Sequence, residues 1–317
     1  MATYLVTGIA GFIGSNLARA LTHMRANDPG VRIRGIDDFS TGKRENISDL
    51  SDVEILEGDV SSARDMDAAV RGVDFVLHQA AIPSVFRSLD DPKRTHNANV
   101  TGTLQVLQSA HAAKVKRVVY AASSSAYGDT ETLPKIESMT AKPLSPYAAS
   151  KLAGEHYCAV YSRVFGLSTV SLRYFNVFGP YQDPDSQYAA VIPKFIRCVL
   201  RGEPPPVNGD GRQTRDFTHI DNVVAANLAA VRANASGVDG EVFNIACGER
   251  IDVLSLLEEI YRLVGRRVEP VFMPGKRGDV RDSLADISKA RKHLGYSASV
   301  KLRQGLERTA DWYRQNL

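Results

Sequence analysis

The sequence has little cysteine, one tryptophan and almost no net charge. Three cysteines, Cys158, Cys198 and Cys247, are scattered over 317 residues. An odd, widely spaced set cannot build a disulfide framework and has no zinc-site spacing, so a reducing compartment, the cytoplasm, is the expected setting. Lys and Arg (39) nearly balance Asp and Glu (36), leaving +3. So small a charge over this length gives no electrostatic footprint for nucleic acid or an anionic membrane. No run of about 18 apolar residues occurs, which excludes a membrane-spanning helix. The apolar start, MATYLVTGIAGFIG, has no basic flank and is broken by glycines, so it is expected to be fold and not signal peptide. His78, His96 and His219 lack ligand spacing, and no metal is expected. There is no internal repeat and no low-complexity tract.

What is present is an ordinary globular mixture, 44% hydrophobic and 24% charged. Short β-branched runs alternate with longer amphipathic stretches. Strands are expected at Tyr4–Thr7, Arg32–Asp37, Val53–Glu57, Phe75–His78, Arg117–Ala122 and Ser168–Tyr174. Helices are expected at Phe12–His23, Ala63–Val70, Ala98–Ala113, Pro146–Phe165, Pro193–Leu200, Asn222–Ala233, Val253–Val264, Ser288–Leu294 and Leu302–Tyr313. This alternation predicts an α/β fold, a doubly wound parallel sheet with helices on both faces. The pattern breaks near Asn176–Tyr181, where prolines begin to punctuate the chain. We therefore expect a nucleotide-binding domain over 1–176 and a smaller, interleaved α/β domain over 177–317. Part of the latter, within 215–247, is expected to return to the main sheet through Asn222–Ala233 and a strand at Glu241–Cys247.

The first strand runs into Gly8-Ile9-Ala10-Gly11-Phe12-Ile13-Gly14 and then a helix. Glycines at such a turn let the backbone approach a pyrophosphate, and the helix N-terminus offers free N–H groups and a partial positive charge. The spacing is GxxGxxG, not GxGxxG, but it lies in the first strand–turn–helix unit, where a dinucleotide site requires it. Asp37 follows Gly14 by 23 residues, close to the distance of the acid that binds ribose hydroxyls. A carboxylate there repels a 2′-phosphate and favours NAD over NADP, although Lys43 and Arg44 stand nearby. A third strand ends at Gly58-Asp59-Val60, where a side chain can meet an adenine edge.

Ser145-Pro146-Tyr147-Ala148-Ala149-Ser150-Lys151 has the cap and first-turn proline of a helix start. Tyr147 and Lys151 are then i and i+4, on one face. A phenol ionises near pH 10, so lowering it to about 7 requires about 4 kcal/mol of differential stabilisation. Lys151, the helix N-terminus and a nicotinamide cation are the expected sources. The fifth strand ends in Ala122-Ser123-Ser124-Ser125-Ala126-Tyr127, whose hydroxyls can hold a substrate alcohol without adding charge. All these features fall at the carboxyl edge of one sheet, where ligands bind in open α/β folds.

These residues resemble the extended short-chain dehydrogenase/reductase family, and within it the nucleotide-sugar 4-epimerases. The resemblance runs nearly end to end through TGIAGFIG, GIDDFSTGKREN, EGDV, HQAA, NVTGTLQVL, AASSSAYGD, PLSPYAASKLAGE, LRYFNVFGP, RDFTHIDNV and RGDVRDSLADISKA. It implies a Rossmann-type fold with tightly held NAD as cofactor and a UDP-sugar as substrate. It implies that Tyr147 takes the proton of the sugar 4-hydroxyl while carbon 4 gives hydride to NAD⁺. Ser123 would share a hydrogen bond with that oxygen, and Lys151 would bind the nicotinamide ribose. The 4-keto sugar would then turn about its diphosphate tether and receive both back on its other face. The implied cofactor contacts are Gly8, Gly11, Phe12, Ile13, Gly14, Asp37, Asp38, Ser40, Gly42, Asp59, Val60, Ala80, Ala81, Asn99, Tyr147, Lys151 and Tyr174. The implied substrate contacts are Ser84, Ser124, Ser125, Asn176, Val191, Val207, Asn208, Arg215, Lys276, Asp279 and Ser283. An arginine is usual in the family where Lys276 stands, and Arg277 beside it is the alternative. The resemblance also implies a homodimer through a four-helix contact of Ala98–Ala113 and Pro146–Phe165.

Within the family, epimerases confined to plain hexoses resemble one another in having a tyrosine where this chain has Ser283. The small side chain points to UDP-N-acetylglucosamine and UDP-N-acetylgalactosamine as substrates, with UDP-glucose and UDP-galactose as a further pair. QDP followed by YAAVIPKF agrees with that branch. A UDP-glucuronate 4-epimerase or decarboxylase is the alternative, with Arg87 available for the carboxylate. A 4,6-dehydratase is disfavoured because Ser124 and Ser125 replace its Asp-Glu pair. A non-catalytic NAD-sensing protein is the alternative of another class.

Overall fold

The computed structural model describes residues 2–186, 189–275 and 280–317. Its frame is a seven-stranded, wholly parallel sheet. Six strands come in chain order: β1 (Ala2–Thr7), β2 (Val31–Asp37), β3 (Glu54–Glu57), β4 (Phe75–His78), β5 (Arg117–Ser123) and β6 (Thr169–Tyr174). The seventh, Glu241–Ile245, pairs with β6 at one edge, so the order across the sheet is Glu241–Ile245, β6, β5, β4, β1, β2, β3. Strand direction of winding therefore reverses between β1 and β4. β5 and β6 are buried along almost their whole length. That is why the middle of β5, Val118–Ala122, reads as a continuous apolar run rather than an alternating one.

Eleven helices are described: α1 (Phe12–Asn27), α2 (Ala63–Ala69), α3 (Val85–Asp90), α4 (Pro92–His96), α5 (Gly102–Ala112), α6 (Pro146–Phe165), α7 (Val191–Arg201), α8 (Ile220–Arg232), α9 (Val253–Val264), α10 (Ser288–Leu294) and α11 (Leu302–Asn316). α1, α8 and α10 cover one face of the sheet around Leu17, Leu21, Val223, Ala230 and Phe243. α2, α5 and α6 cover the other around Met66, Val106, Leu107 and Cys158. A third core joins α7, α9 and α11 around Phe195, Ile196, Leu256 and Tyr313.

One expected helix begins differently. Ala98–Ala113 is entered through a wider π turn, Asn97–Thr101, and the α-helix starts only at Gly102. The Asn99 side chain is committed to both backbone groups of Ile82, and Thr103 Oγ1 donates to the Asn99 carbonyl, 2.6 Å. Side chains that engage the backbone this way loosen the helical ladder. The short α3 and α4 were not expected, although Asp91-Pro92 carries a legible cap-and-proline start, with Asp91 accepting from the Arg94 N–H.

Two buried charges hold the later chain to the sheet. The Arg117 guanidinium donates to the carbonyls of Ala230, Val231 and Ala233, satisfying the C-terminal end of α8, and pairs with Asp239. Asp216, fully buried, accepts from the N–H groups of Cys247 (2.9 Å), Gly248 (3.0 Å) and Ala285 (3.3 Å). Burial pushes this carboxyl up to about 6, against those three donors. An amide offers one acceptor where the carboxylate offers two. Asp216→Asn is therefore expected to cost about 2–4 kcal/mol in chemical denaturation; wild-type stability would show that Asp216 is not the clamp.

Candidate active site

A cleft of about 440 Å³ opens at the carboxyl edge of the sheet, where winding reverses between β1 and β4. That is the position at which doubly wound sheets bind ligands. It is lined by Gly8, Gly11, Phe12, Ile13, Gly14, Asp37, Asp38, Ser40, Gly42, Asp59, Val60, Ala80, Ala81, Tyr147, Lys151 and Tyr174. Gly8 has φ +67°, and a Cβ on it would lie 2.8 Å from Ala80 Cα, so only glycine lets the β1 turn pass the β4 turn. A Cβ on Gly14 would lie 2.1 Å from the Gly8 carbonyl oxygen. Phe12 opens α1, whose first N–H groups have no partners within the helix. A glycine cradle under a helix N-terminus suits a pyrophosphate, and the residues present fit NAD.

Asp37 does two things at once. It lines the cleft, yet its oxygens accept the N–H groups of Ala10 and Phe39, 2.9 Å each, and so brace the glycine turn. Burial raises this carboxyl, with those hydrogen bonds opposing. Asp38 beside it is exposed and also faces the cleft. The two nearby cations are each paired with an acid, Lys43 within the cleft lining itself. Lys43 Nζ pairs with Asp183, 3.1 Å, and Arg44 with Glu57, 2.5 Å.

Asn99 does not line the cleft. It stands buried behind the wall, holding Ile82 and Ser150. Its uncharged amide is consumed by the Ile82 backbone and the Ser150 hydroxyl, which makes it a support for the wall in place of the expected contact.

The helix start is built as its residues predict. Ser145 accepts from the Ala148 N–H, Pro146 occupies the first turn, and Gly166 ends α6 in the left-handed region at φ +73°. α6 presses hard on β5. Tyr120 OH donates to the Lys151 carbonyl, 3.3 Å, and a Cβ on Gly154 would lie 2.2 Å from Tyr120 Oη. Lys151 is 3% exposed, and its ammonium donates to the Ala121 carbonyl, 2.8 Å. Burial pulls this amine down to about 8, with Cys158 and Glu155 opposing. Tyr147 is raised above its ordinary value by burial, and the Ser123 hydroxyl pulls the other way. In the protein alone, desolvation outweighs the Ser123 hydrogen bond, and the phenol stays protonated at neutral pH. The Ser123 and Ser125 hydroxyls are 2.8 Å apart in the turn that also carries Ser124. His78 is held between Thr7 and Thr103, and burial drags it down to about 3, so it is neutral.

Of the expected substrate contacts, Ser84 lines the cleft, and Val191 opens α7 next to the lining residues Ala189 and Ala190. Asn176 takes a positive φ (+32°) and donates to the Asp216 carbonyl, 2.9 Å. Arg215 and Ser283 lie side by side. The Ser283 N–H donates to the Thr214 carbonyl, while Arg215 donates to the carbonyls of Thr214 and Arg281. Val207 is fully buried, and Asn208 ends the same short strand, paired with Val271–Met273 away from the cleft. Lys276, Arg277 and Asp279 lie outside the described residues. Reading the sequence missed Lys135, which is 2% exposed, donates to the Gly128 carbonyl at 3.0 Å, and pairs through its backbone with Leu284 beside Ser283. It also missed Glu155 and Arg173. Arg173 is the one charge in TVSLRY, and Glu155 sits two turns after Tyr147 on the same helix face.

Gly8→Ala is expected to weaken NAD binding at least about tenfold, because left-handed strain of about 1–2 kcal/mol adds to the contact with Ala80. Calorimetric titration of the stripped protein measures it; unchanged affinity would remove the glycine turn from the site.

The comparisons with known proteins agree with this geometry. The model of the NAD dependent epimerase/dehydratase family matches residues 4–246. UDP-glucose 4-epimerase of Mycolicibacterium smegmatis is 37% identical over 320 residues, covering 98% of each chain. Among solved structures, UDP-N-acetylglucosamine 4-epimerase from Methanobrevibacter ruminantium, in complex with UDP-N-acetylmuramic acid, superposes with a TM-score of 0.92 at 34% identity, covering 100% of this chain and 99% of the other. UDP-glucuronic acid 4-epimerase from Bacillus cereus, with UDP-glucuronic acid and NAD, gives 0.91 at 34% identity, covering 99% and 100%. The chain belongs to the NAD dependent epimerase/dehydratase family.

Proposed function

We propose that this NAD-dependent UDP-sugar 4-epimerase interconverts UDP-N-acetylglucosamine and UDP-N-acetylgalactosamine, with UDP-glucose and UDP-galactose as a second pair. The observation that carries the choice of sugar is Ser283. It is a small side chain, 4% exposed, packed beside Arg215 and the buried Lys135–Ala285 bridge. The family resemblance puts this position beside the sugar, where a small residue would leave room for a 2-acetamido group.

Bound NAD supplies the acceptor and donor of hydrogen at carbon 4. The chain's own residues handle the proton. Tyr147 Oη takes it from the 4-hydroxyl and returns it after the sugar has turned over. The Ser123 hydroxyl holds the same oxygen, contributing a hydrogen bond without a competing charge. Lys151 holds a positive charge one turn below the phenol, favouring phenolate when the base is needed. Arg215 and the region beyond residue 275 would hold the diphosphate about which the sugar turns, and Val207 and Asn208 the uracil.

The second reading, a UDP-glucuronate 4-epimerase or decarboxylase, is favoured by one residue, Arg87, which lines the cleft next to Ser84. The family's 4,6-dehydratase chemistry lacks its acids, because Ser124 and Ser125 are poor replacements for an Asp-Glu pair at neutral pH. A non-catalytic NAD sensor has no need of Tyr147 and Lys151 in one cleft. We further propose a homodimer through α5 and α6, since α6 exposes Val160, Val164 and Phe165.

Incubation with each UDP-sugar, with products resolved by NMR and mass spectrometry, tests the reading. Epimers of unchanged mass are expected; loss of carbon dioxide or water would replace it with a decarboxylase or dehydratase. Tyr147→Phe is expected to lower kcat by about 10²–10⁴-fold, and full turnover would remove Tyr147 as the base. Ser283→Tyr is expected to abolish N-acetyl turnover while sparing UDP-glucose, and intact N-acetyl turnover would refute the pocket argument.

A further inference from the structure

Beneath Tyr147 and Lys151, α6 carries a third functional-looking residue on the same face. Glu155 follows them at i+8 and i+4, is 3% exposed, and forms a bidentate ion pair with Arg173 of β6, at 2.9 and 2.7 Å. Arg173 is 5% exposed, and its guanidinium lies over the Tyr127 ring, 4.6 Å from the centroid. Tyr127 closes the turn that begins at Ser123, and its hydroxyl donates to Asn244, 2.7 Å. Arg173 Nη1 has no hydrogen-bond partner among the described residues, while Nε and Nη2 both donate to Glu155. A buried ion pair is a costly way to join a helix to a strand, and two apolar side chains would often be as stable. Its worth here is geometric and electrostatic.

We propose that Glu155–Arg173 is a positioning pair for the reaction: it fixes the helix face bearing Tyr147 and Lys151 against the turn bearing Ser123, and it keeps two compensating charges beneath the Lys151 ammonium. The inference rests on the proposed roles of Tyr147 and Lys151. The other titratable groups facing Lys151 are neutral near pH 7. His78 of β4 is held down to about 3, Tyr120 of β5 is well above its ordinary value, and Tyr147 and Cys158 of α6 are raised, the thiol to about 12. Glu155 is thus the carboxylate that favours the ammonium, and Arg173 is the cation paired with it.

The sign follows. Glu155→Gln leaves Arg173 uncompensated, so Lys151 gives up its proton at lower pH. The basic limb of the kcat profile should move down by about one unit, the order expected for one buried charge several ångströms away. Neither residue is placed against the substrate, so KM should stay within about twofold while kcat falls on the order of tenfold. Glu155→Gln combined with Arg173→Met removes both charges. It should return the limb to its wild-type position while kcat stays low. A limb unmoved in Glu155→Gln would overturn the electrostatic role, and wild-type kcat in the double variant would overturn the positioning role. If the single variant fails to fold, the kcat of the double variant decides. Tyr147→Phe, assayed alongside, separates the two levels: activity in that variant would remove the proposed base, whereas an inactive Tyr147→Phe with unaffected Glu155 variants would remove only this inference.

Discussion

The site depends on how closely one helix lies on the sheet. α6 approaches β5 so nearly that Gly154 has no room for a Cβ beside Tyr120, and Lys151 and Tyr120 reach across the gap in opposite directions to each other's strand and helix. This contact brings a phenol from the first turn of a helix next to a serine from the end of a strand. It also buries Lys151 and leaves Tyr147 half-buried on the cleft wall, which determines their chemistry. Desolvation makes the amine a weaker base and the phenol a weaker acid, so the protein alone holds Tyr147 in the wrong form for proton abstraction. On the proposed mechanism, a positively charged cofactor in the shared cleft would oppose this, and the base would be armed only in the loaded enzyme.

The cofactor cleft follows from topology in the same way. Parallel strands on either side of the winding reversal splay their loops apart. The glycine turn after β1 and the Gln79–Ala81 turn after β4 line the gap, and Gly8 is the point where they nearly touch. Asp37 closes the arrangement by tying the glycine turn after β1 to its own turn after β2, so one carboxylate both shapes the phosphate cradle and lines the cleft.

Much of this was legible beforehand, for identifiable reasons. Local signals were strong where chemistry and geometry coincide. Ser145-Pro146 marked the start of α6 because a cap and a proline can occupy few other positions, and the glycine turn was readable because it follows a strand and opens a helix. The Asn97–Thr101 turn was not readable, because it depends on Asn99 finding the Ile82 backbone 17 residues away. The same limit explains Asp216, Lys135 and Glu155–Arg173. Each is an ordinary charged residue in one dimension and becomes a buried anchor only when the fold supplies its partner. Spacing likewise revealed the lysine one turn from Tyr147 but not the depth at which it is buried.

Ionisation of the Tyr147 phenol itself is the most direct measure of this account. Difference ultraviolet titration of the protein against its Tyr147→Phe variant isolates that one group and can be run with NAD present and with NAD stripped. The account predicts that Tyr147 ionises at clearly lower pH in the NAD-bound protein than in the stripped one. The same titration curve in both would contradict it.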